Sequence, residues 1–480
     1  MRPENANNPN AFVADDHYNR MESDIAYLGS LKATAYRFSI SWPRILPNCS
    51  GEINQAGIDF YNRMINEIIK NGATPVLTMY HWDTPQACHD QYGSWTNIKI
   101  VEDFTNYADV ILKNFGDRLE YILTINEPSA ECGWGYAQNV WPPGANLGES
   151  AKYICQHYTN LAHGSVVKMA RRKYPDRNFK FGMPLIVGWS EPLTNTEADI
   201  QAANRTMIFH SDWNWGPLVN GDYSDLLKND RVWGPLLPQY TEEQKEMMRG
   251  TMDFVALNYY SASYAYASSD GDAVGGAKSG LTRDGQLIGP VSGTHWQNIY
   301  APGIRKIAQW MYNHWKMDIF IVECGTSVPN EQTMTRASDI ANDGFRVDFF
   351  EQHTQHLADA VLIDKTPIKA FLAWSLMDNF EWRTYDQRFG VIAVDYHNGT
   401  LDRTVKQSAY FLRDYFSNAV SPLALPSLAS NSTNNNSNNT NASNETASGN
   451  TGGSSKNSSE KAHVLSLMMM MSVACVMMLF

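Results

Sequence analysis

Residues 121–128, Tyr121-Ile122-Leu123-Thr124-Ile125-Asn126-Glu127-Pro128, decide how the rest of the chain is read. The apolar, β-branched run at 122–125 suits a strand buried on both faces, and Pro128, with no N–H to donate, cannot continue it. The strand therefore delivers Asn126 and Glu127 at its end. In a closed parallel barrel that end is the rim where catalytic groups stand. Alone, a carboxylate after a strand is more often a helix cap or half of an ion pair, so the weight falls on what ends the other strands.

Working outward, the same unit recurs. Tyr18, Met21, Ile25 and Leu28 follow helical spacing, and a strand at 35–40 comes next. Ile58, Tyr61, Ile65 and Ile68 mark a second helix, closed by Asn71-Gly72, before a strand at 74–80. Apolar runs follow at 121–125, 181–187, 254–260, 319–322 and 370–376, with a helical face of Val347, Phe350, Leu357 and Val361 between the last two. Strands alternating with helices predict an α/β fold with a parallel sheet, and this many units over roughly 400 residues predict a closed (β/α) barrel with long rim loops.

Composition narrows the class. The 480 residues are 43% hydrophobic and 12% aromatic, enough for a large core. Lys and Arg total 38 against 50 Asp and Glu, a formal charge of -12 without a basic run, which argues against a nucleic-acid partner. The cysteines, Cys49, Cys88, Cys132, Cys155, Cys324 and Cys475, include no Cys-x-x-Cys pair and no zinc spacing, so neither a structural metal nor a cofactor is indicated. Most read as small buried hydrophobes, and their count assigns no disulfide.

A second strand ends as the first does: Phe320-Ile321-Val322 delivers Glu323, followed by Cys324-Gly325. Two carboxylates at the ends of two barrel strands are the minimum apparatus for hydrolysing a glycosidic bond. The other strand ends carry Arg37, His81-Trp82, Asn258 with Tyr260, and Trp374 followed by Glu381-Trp382. Each has a bland reading as ion pair, packing or satisfied core histidine. In this order, from about Phe12 to Phe416, and with Trp141-Pro142-Pro143-Gly144, Trp189-Ser190-Glu191-Pro192 and Arg388-Phe389-Gly390, they resemble glycoside hydrolase family 1, the β-glucosidase family.

That resemblance implies a (β/α)8 TIM barrel and a retaining β-glycosidase that needs no metal. Glu127 is then the acid/base and Glu323 the nucleophile. Arg37, Tyr260 and Asn258 support the nucleophile, while His81, Trp82, Asn126, Trp374, Glu381 and Trp382 bind the sugar. The charge of Glu323 is expected to favour protonated Glu127. Glu381, where relatives acting on 6-phosphorylated sugars carry a Ser and Lys signature, implies a neutral glycone, and retention of Glu127 favours O-glycosides over thioglucosides. Small-molecule β-glucosides are the implied partners, with the aglycone left open.

Two departures stand out. The family's opening strand, with its Gln-x-Glu-Gly stretch, is absent, so the chain reads as N-terminally truncated and short of strand one, and Cys324 stands where the family usually has Asn. Residues 1–11 form a polar leader without signal-peptide features, and 12–420 the barrel. Residues 421–463 form an Asn/Ser-rich stalk expected to be disordered, and 464–480 an apolar tail. Small residues at 452–455, a polar spacer and that tail fit a glycosylphosphatidylinositol signal, with a hydrophobic membrane anchor as the runner-up. Sequons at Asn48, Asn204 and Asn398, and six more at Asn431, Asn435, Asn438, Asn441, Asn444 and Asn457, favour the extracellular face of the plasma membrane or secretion. The rival reading is a cell-surface carbohydrate-binding pseudoenzyme that lost turnover with its first strand.

Overall fold

In the computed structural model, residues 10–270, 273–419 and 476–479 are described. The barrel strands are β1 (Ala35–Ser39), β2 (Thr74–Tyr80), β3 (Tyr121–Ile125), β4 (Lys180–Gly182), β5 (Leu185–Ile186), β6 (Val255–Asn258), β7 (Ile319–Cys324), β8 (Ile368–Ala373) and β9 (Val476–Leu479). All pair in parallel, in the order β4-β3-β2-β1-β9-β8-β7-β6-β5. The predicted strand at 181–187 is interrupted, because Pro184 removes an amide from the ladder. β4 and β5 are thus two halves of one barrel strand, and their meeting closes the ring.

The place that the sequence leaves without a strand, between β1 and β8, is taken by β9 from the apolar tail. Tail residues 464–475 and Phe480, the stalk at 421–463 and its six sequons lie outside the described residues, as do residues 1–9. Among the described residues no helix is long and apolar enough to cross a membrane.

Inside the ring, Ala35, Val76, Leu123, Phe254, Ala256, Phe320, Val322, Ala370 and Leu372 form an apolar plug. The period of two along a strand then puts Arg37 and Thr78 one level above Ala35 and Val76, on the same inward side. Helices cover the outside. In Gln55–Lys70 the predicted stripe Ile58, Tyr61, Ile65 and Ile68 is buried against the barrel, and in His17–Ser30 Met21, Ile25 and Leu28 are.

Candidate active site

Glu323 reaches the barrel mouth through an irregularity. The pairing of β7 with β6 slips between Ile321 and Glu323, and its pairing with β8 slips between Ile321 and Cys324. Strict alternation after Phe320 and Val322 would present Cys324 to the interior; the bulge re-aims the strand so that Glu323 does so, while Cys324 packs in the outer core. Burial pushes the Cys324 thiol far above its usual range. The next residue must be glycine, since a Cβ on Gly325 would lie 1.8 Å from the Trp374 carbonyl oxygen.

Arg37, fully buried, organises the floor. Its Nη1 donates to Glu323 Oε1 at 2.7 Å and to the Val322 carbonyl at 2.9 Å, its Nη2 to Asn126 Oδ1 at 2.6 Å, and its Nε to Thr78 Oγ1 at 2.8 Å. Tyr260 donates from its hydroxyl to Glu323 Oε2 at 2.7 Å. Each Glu323 oxygen therefore has a donor, and one of those donors is a cation.

Glu127 is treated differently. It follows β3 with φ 41° and ψ 54°, a left-handed conformation that side chains avoid and that surrounding contacts must hold. Its amide donates to the Pro184 carbonyl at 2.9 Å, and one carboxylate oxygen accepts from Asn258 Nδ2 at 2.5 Å. Burial first, then the charge of Glu323, push its carboxyl up to about 8. The sequence reading named the charge and omitted the larger cause.

Asn258 also corrects an expectation. It neighbours Glu323 in the ladder, yet its side chain donates to Glu127 and, at 3.4 Å, to Asn126 Oδ1, so its hydrogen bonds go to Glu127 and Asn126 rather than to Glu323. Asn126 donates from Nδ2 to His81 Nε2 at 3.0 Å. Burial and the neighbouring Arg37 push the His81 imidazole down to about 3, so the ring is neutral with Nε2 as acceptor.

The remaining predicted residues line one wall. Trp82 spends its indole N–H on the Asn126 carbonyl at 2.7 Å, and its ring lies 4.1 Å from that of Trp382, centroid to centroid. Its indole N–H is thus committed to the protein, and its ring packs in this wall. Trp141 stacks on Trp382 at 5.6 Å and meets Trp134 edge-on at 4.4 Å, an aromatic extension without an assigned role in the sequence reading. Trp374 hydrogen-bonds Glu381, whose carboxyl burial and the Glu323 charge push up to about 8. Behind this loop, buried Lys406 binds Asp378 at 2.9 Å and Glu331 at 2.6 Å, and Arg346 binds Glu331 at 2.8 Å and pairs with Asp343. Among the described residues no group of three His, Cys, Asp or Glu side chains is placed to hold a metal.

All eleven predicted residues thus gather at the C-terminal mouth of one barrel, where two carboxyls occupy opposite electrostatic settings. Residues 1–420 match the family described as glycosyl hydrolase family 1. The chain belongs to glycosyl hydrolase family 1. It is 39% identical over 431 residues to Beta-glucosidase 13 of Arabidopsis thaliana, covering 85% of this chain and 83% of that one. A rice β-glucosidase crystal structure superposes with a TM-score of 0.81 at 32% identity, covering 86% and 90% of the two chains. β-Glucosidase 2 of the fungus Trichoderma reesei, solved with Tris, gives 0.80 at 34% identity, covering 85% and 90%. The fold is the family's (β/α)8 barrel and the protein is a glycosyl hydrolase.

Sequence reasoning assigned no disulfide, whereas among the described residues there are two, Cys49–Cys88 and Cys132–Cys155, of which the second fastens the turn that follows Glu127 to helix Glu149–Lys173. Cys324 is the free cysteine among the described residues. No spacing signal announces these pairs, whose members meet only once the rim loops have folded.

Proposed function

We propose that the protein is a retaining β-glucosidase in which Glu323 is the nucleophile and Glu127 the acid/base. The observation that carries this reading is the asymmetry between the two groups. Glu323 is paired with Arg37 and Tyr260, as a carboxylate that must stay ionised should be, whereas Glu127 is buried with a single amide donor and holds its proton to about 8.

In the first step a Glu323 oxygen bonds to the anomeric carbon as the glycosidic C–O bond breaks, and Glu127 gives its proton to the leaving oxygen. In the second, water attacks that carbon, loses a proton to Glu127 and releases Glu323, so the β configuration is retained and both groups are restored. Asn126, held by Arg37, contacts the 2-hydroxyl, where stabilisation grows toward the transition state. His81, Glu381 and Trp382 take the other hydroxyls over the Trp374 ring. A neutral glycone fits because the pocket already holds three carboxyls while the Arg37 guanidinium is committed to Glu323 and Asn126.

The test is a pair of variants on two substrates. Glu127→Ala retains most kcat/KM toward a 2,4-dinitrophenyl β-glucoside, whose leaving group needs no proton, and loses it toward a phenyl or alkyl β-glucoside; Glu323→Ala loses both. Equal losses in both variants on both substrates contradict the roles.

We further propose that the protein works outside the cell. Two disulfides belong to an oxidising compartment, and the sequon residues Asn48, Asn204 and Asn398 are all exposed. The attachment-signal reading of the tail competes with its placement as β9, because cleavage at 452–455 removes that strand. Mass spectrometry of the mature C-terminus distinguishes a lipid-linked end near Ser455 from a retained tail.

A further inference from the structure

Glu131, one helical turn beyond Glu127, is a buried carboxyl that the chemistry above leaves unused. Glu131 is 2% exposed, its Oε1 accepts from the Tyr80 hydroxyl, and its Oε2 is buried without a partner. Tyr80 is itself enclosed: Trp95 Nε1 donates to its hydroxyl at 3.0 Å, and Thr84 Oγ1 lies 2.6 Å away. Counting protons, Tyr80 has one to give. Trp95 donates to the phenol oxygen and the Thr84 hydroxyl can serve as donor or acceptor, so the Tyr80 proton goes to Glu131.

Main-chain bonds connect this pair to the site. The Glu131 amide donates to the Glu127 carbonyl at 3.3 Å, and the Asn126 amide donates to the Tyr80 carbonyl at 3.0 Å. Glu127, Glu131, Tyr80 and Asn126 therefore form a closed ring: backbone along 126–127, helix from Glu127 to Glu131, side chains from Glu131 to Tyr80, and the sheet bond back to Asn126. Tyr80 also directly precedes His81. Only the Glu131–Tyr80 contact is made between side chains, so it is the one edge that a substitution removes without touching the backbone.

We propose that Glu131 is a positioning residue for the acid/base: by holding Tyr80 it fixes the left-handed Glu127 over the leaving-group side of the cleft. The reason it is needed lies in the local backbone. Glu127 sits at φ 41°, and the four-residue helix Pro128–Glu131 that follows passes at once into a π-helical turn at Cys132–Ala137. Neither segment is long enough to be rigid by itself. The Cys132–Cys155 disulfide fastens the far end of this turn, and the Glu131–Tyr80 bond fastens the near end. Burial pushes the Glu131 carboxyl up to about 8, so near neutral pH it is a neutral acceptor whose shape an amide reproduces.

This inference rests on Glu127 being the acid/base, and the experiment separates the two. Loss of general-acid help is read as a substrate-dependent loss: kcat/KM reports the first step, and a 2,4-dinitrophenyl leaving group departs without a proton while phenol does not. Glu127→Ala, measured first, has to show that selectivity for the roles to stand. Glu131→Ala and Tyr80→Phe, the latter removing only the hydroxyl, are then expected to lose about 10- to 100-fold toward phenyl β-glucoside and less than about threefold toward the dinitrophenyl substrate. Glu131→Gln, which still accepts from Tyr80, is expected to stay within about threefold on both.

If Glu127→Ala is selective while Glu131→Ala and Tyr80→Phe lose both substrates equally, or neither, the positioning role is refuted and the acid/base assignment survives. If Glu127→Ala is itself unselective, it is the parent assignment that has failed. Should Glu131→Ala not fold, Tyr80→Phe carries the test alone.

Discussion

Replacing Arg37 with methionine, similar in length but uncharged, tests the electrostatic core of the site. Arg37 is wholly buried and serves Glu323, Asn126, Thr78 and the Val322 carbonyl at 2.6–2.9 Å. Stripping a buried carboxylate of its cation costs about 3–5 kcal/mol, since Glu323 would remain in the same enclosed place with only Tyr260 as a donor. That is a large share of the ~5–15 kcal/mol that holds a domain folded. With an unfolding entropy of ~2.1 cal/mol/K per residue over roughly 400 folded residues, it lowers Tm by about 5 °C.

Without Arg37, Glu323 loses the donor that holds its Oε1, so kcat/KM on an aryl β-glucoside is expected to fall together with Tm. Thermal unfolding at pH 7 and kcat/KM on an aryl β-glucoside measure both effects. An Arg37→Met protein that melts within about 1 °C of the parent at pH 7 and keeps its kcat/KM refutes the reasoning.

The alkaline limb belongs to Glu127: kcat/KM toward phenyl β-glucoside falls tenfold per unit above about pH 8 while the dinitrophenyl substrate stays level, and a parallel decline of both would remove Glu127 from that limb. Gly325→Ala sets a Cβ 1.8 Å from the Trp374 carbonyl oxygen and is expected to abolish soluble, active protein; a variant melting within a few degrees of the parent would mean that the strand end yields easily. The Cys132→Ser/Cys155→Ser double variant opens a loop of sequence separation 23, worth about 3 kcal/mol, and its Tm should fall by roughly 4 °C, whereas an unchanged Tm would show that the pair adds nothing.

Much of this was legible from residues alone, for identifiable reasons. Strands such as Tyr121–Ile125 and Ile319–Cys324 are buried on both faces, so they are written as unbroken apolar runs, and the polar residue ending each run has to sit at the rim. The two glutamates could be found because strand ends are local features. The target of Asn258 could not: it neighbours Glu323 in the ladder, and only the three-dimensional course of β3 brings Glu127 to its amide. Glu131 escaped notice because its partner Tyr80 lies 51 residues earlier, and a lone Glu in a short helix carries no pattern. The pairing of β9 with β1 and β8 was likewise hidden, because an apolar chain end of that composition reads as an anchor.

The most direct test of the central claim is to trap the covalent intermediate. A 2,4-dinitrophenyl 2-deoxy-2-fluoro-β-glucoside carries a good leaving group but slows the release step, because fluorine removes the 2-hydroxyl contact and destabilises the oxocarbenium-like transition state. The account predicts one sugar per protein, with stoichiometric release of dinitrophenol, and peptide mapping that finds the sugar on Glu323. A sugar found on another residue, or steady turnover of natural substrate with no trapped adduct, would contradict it.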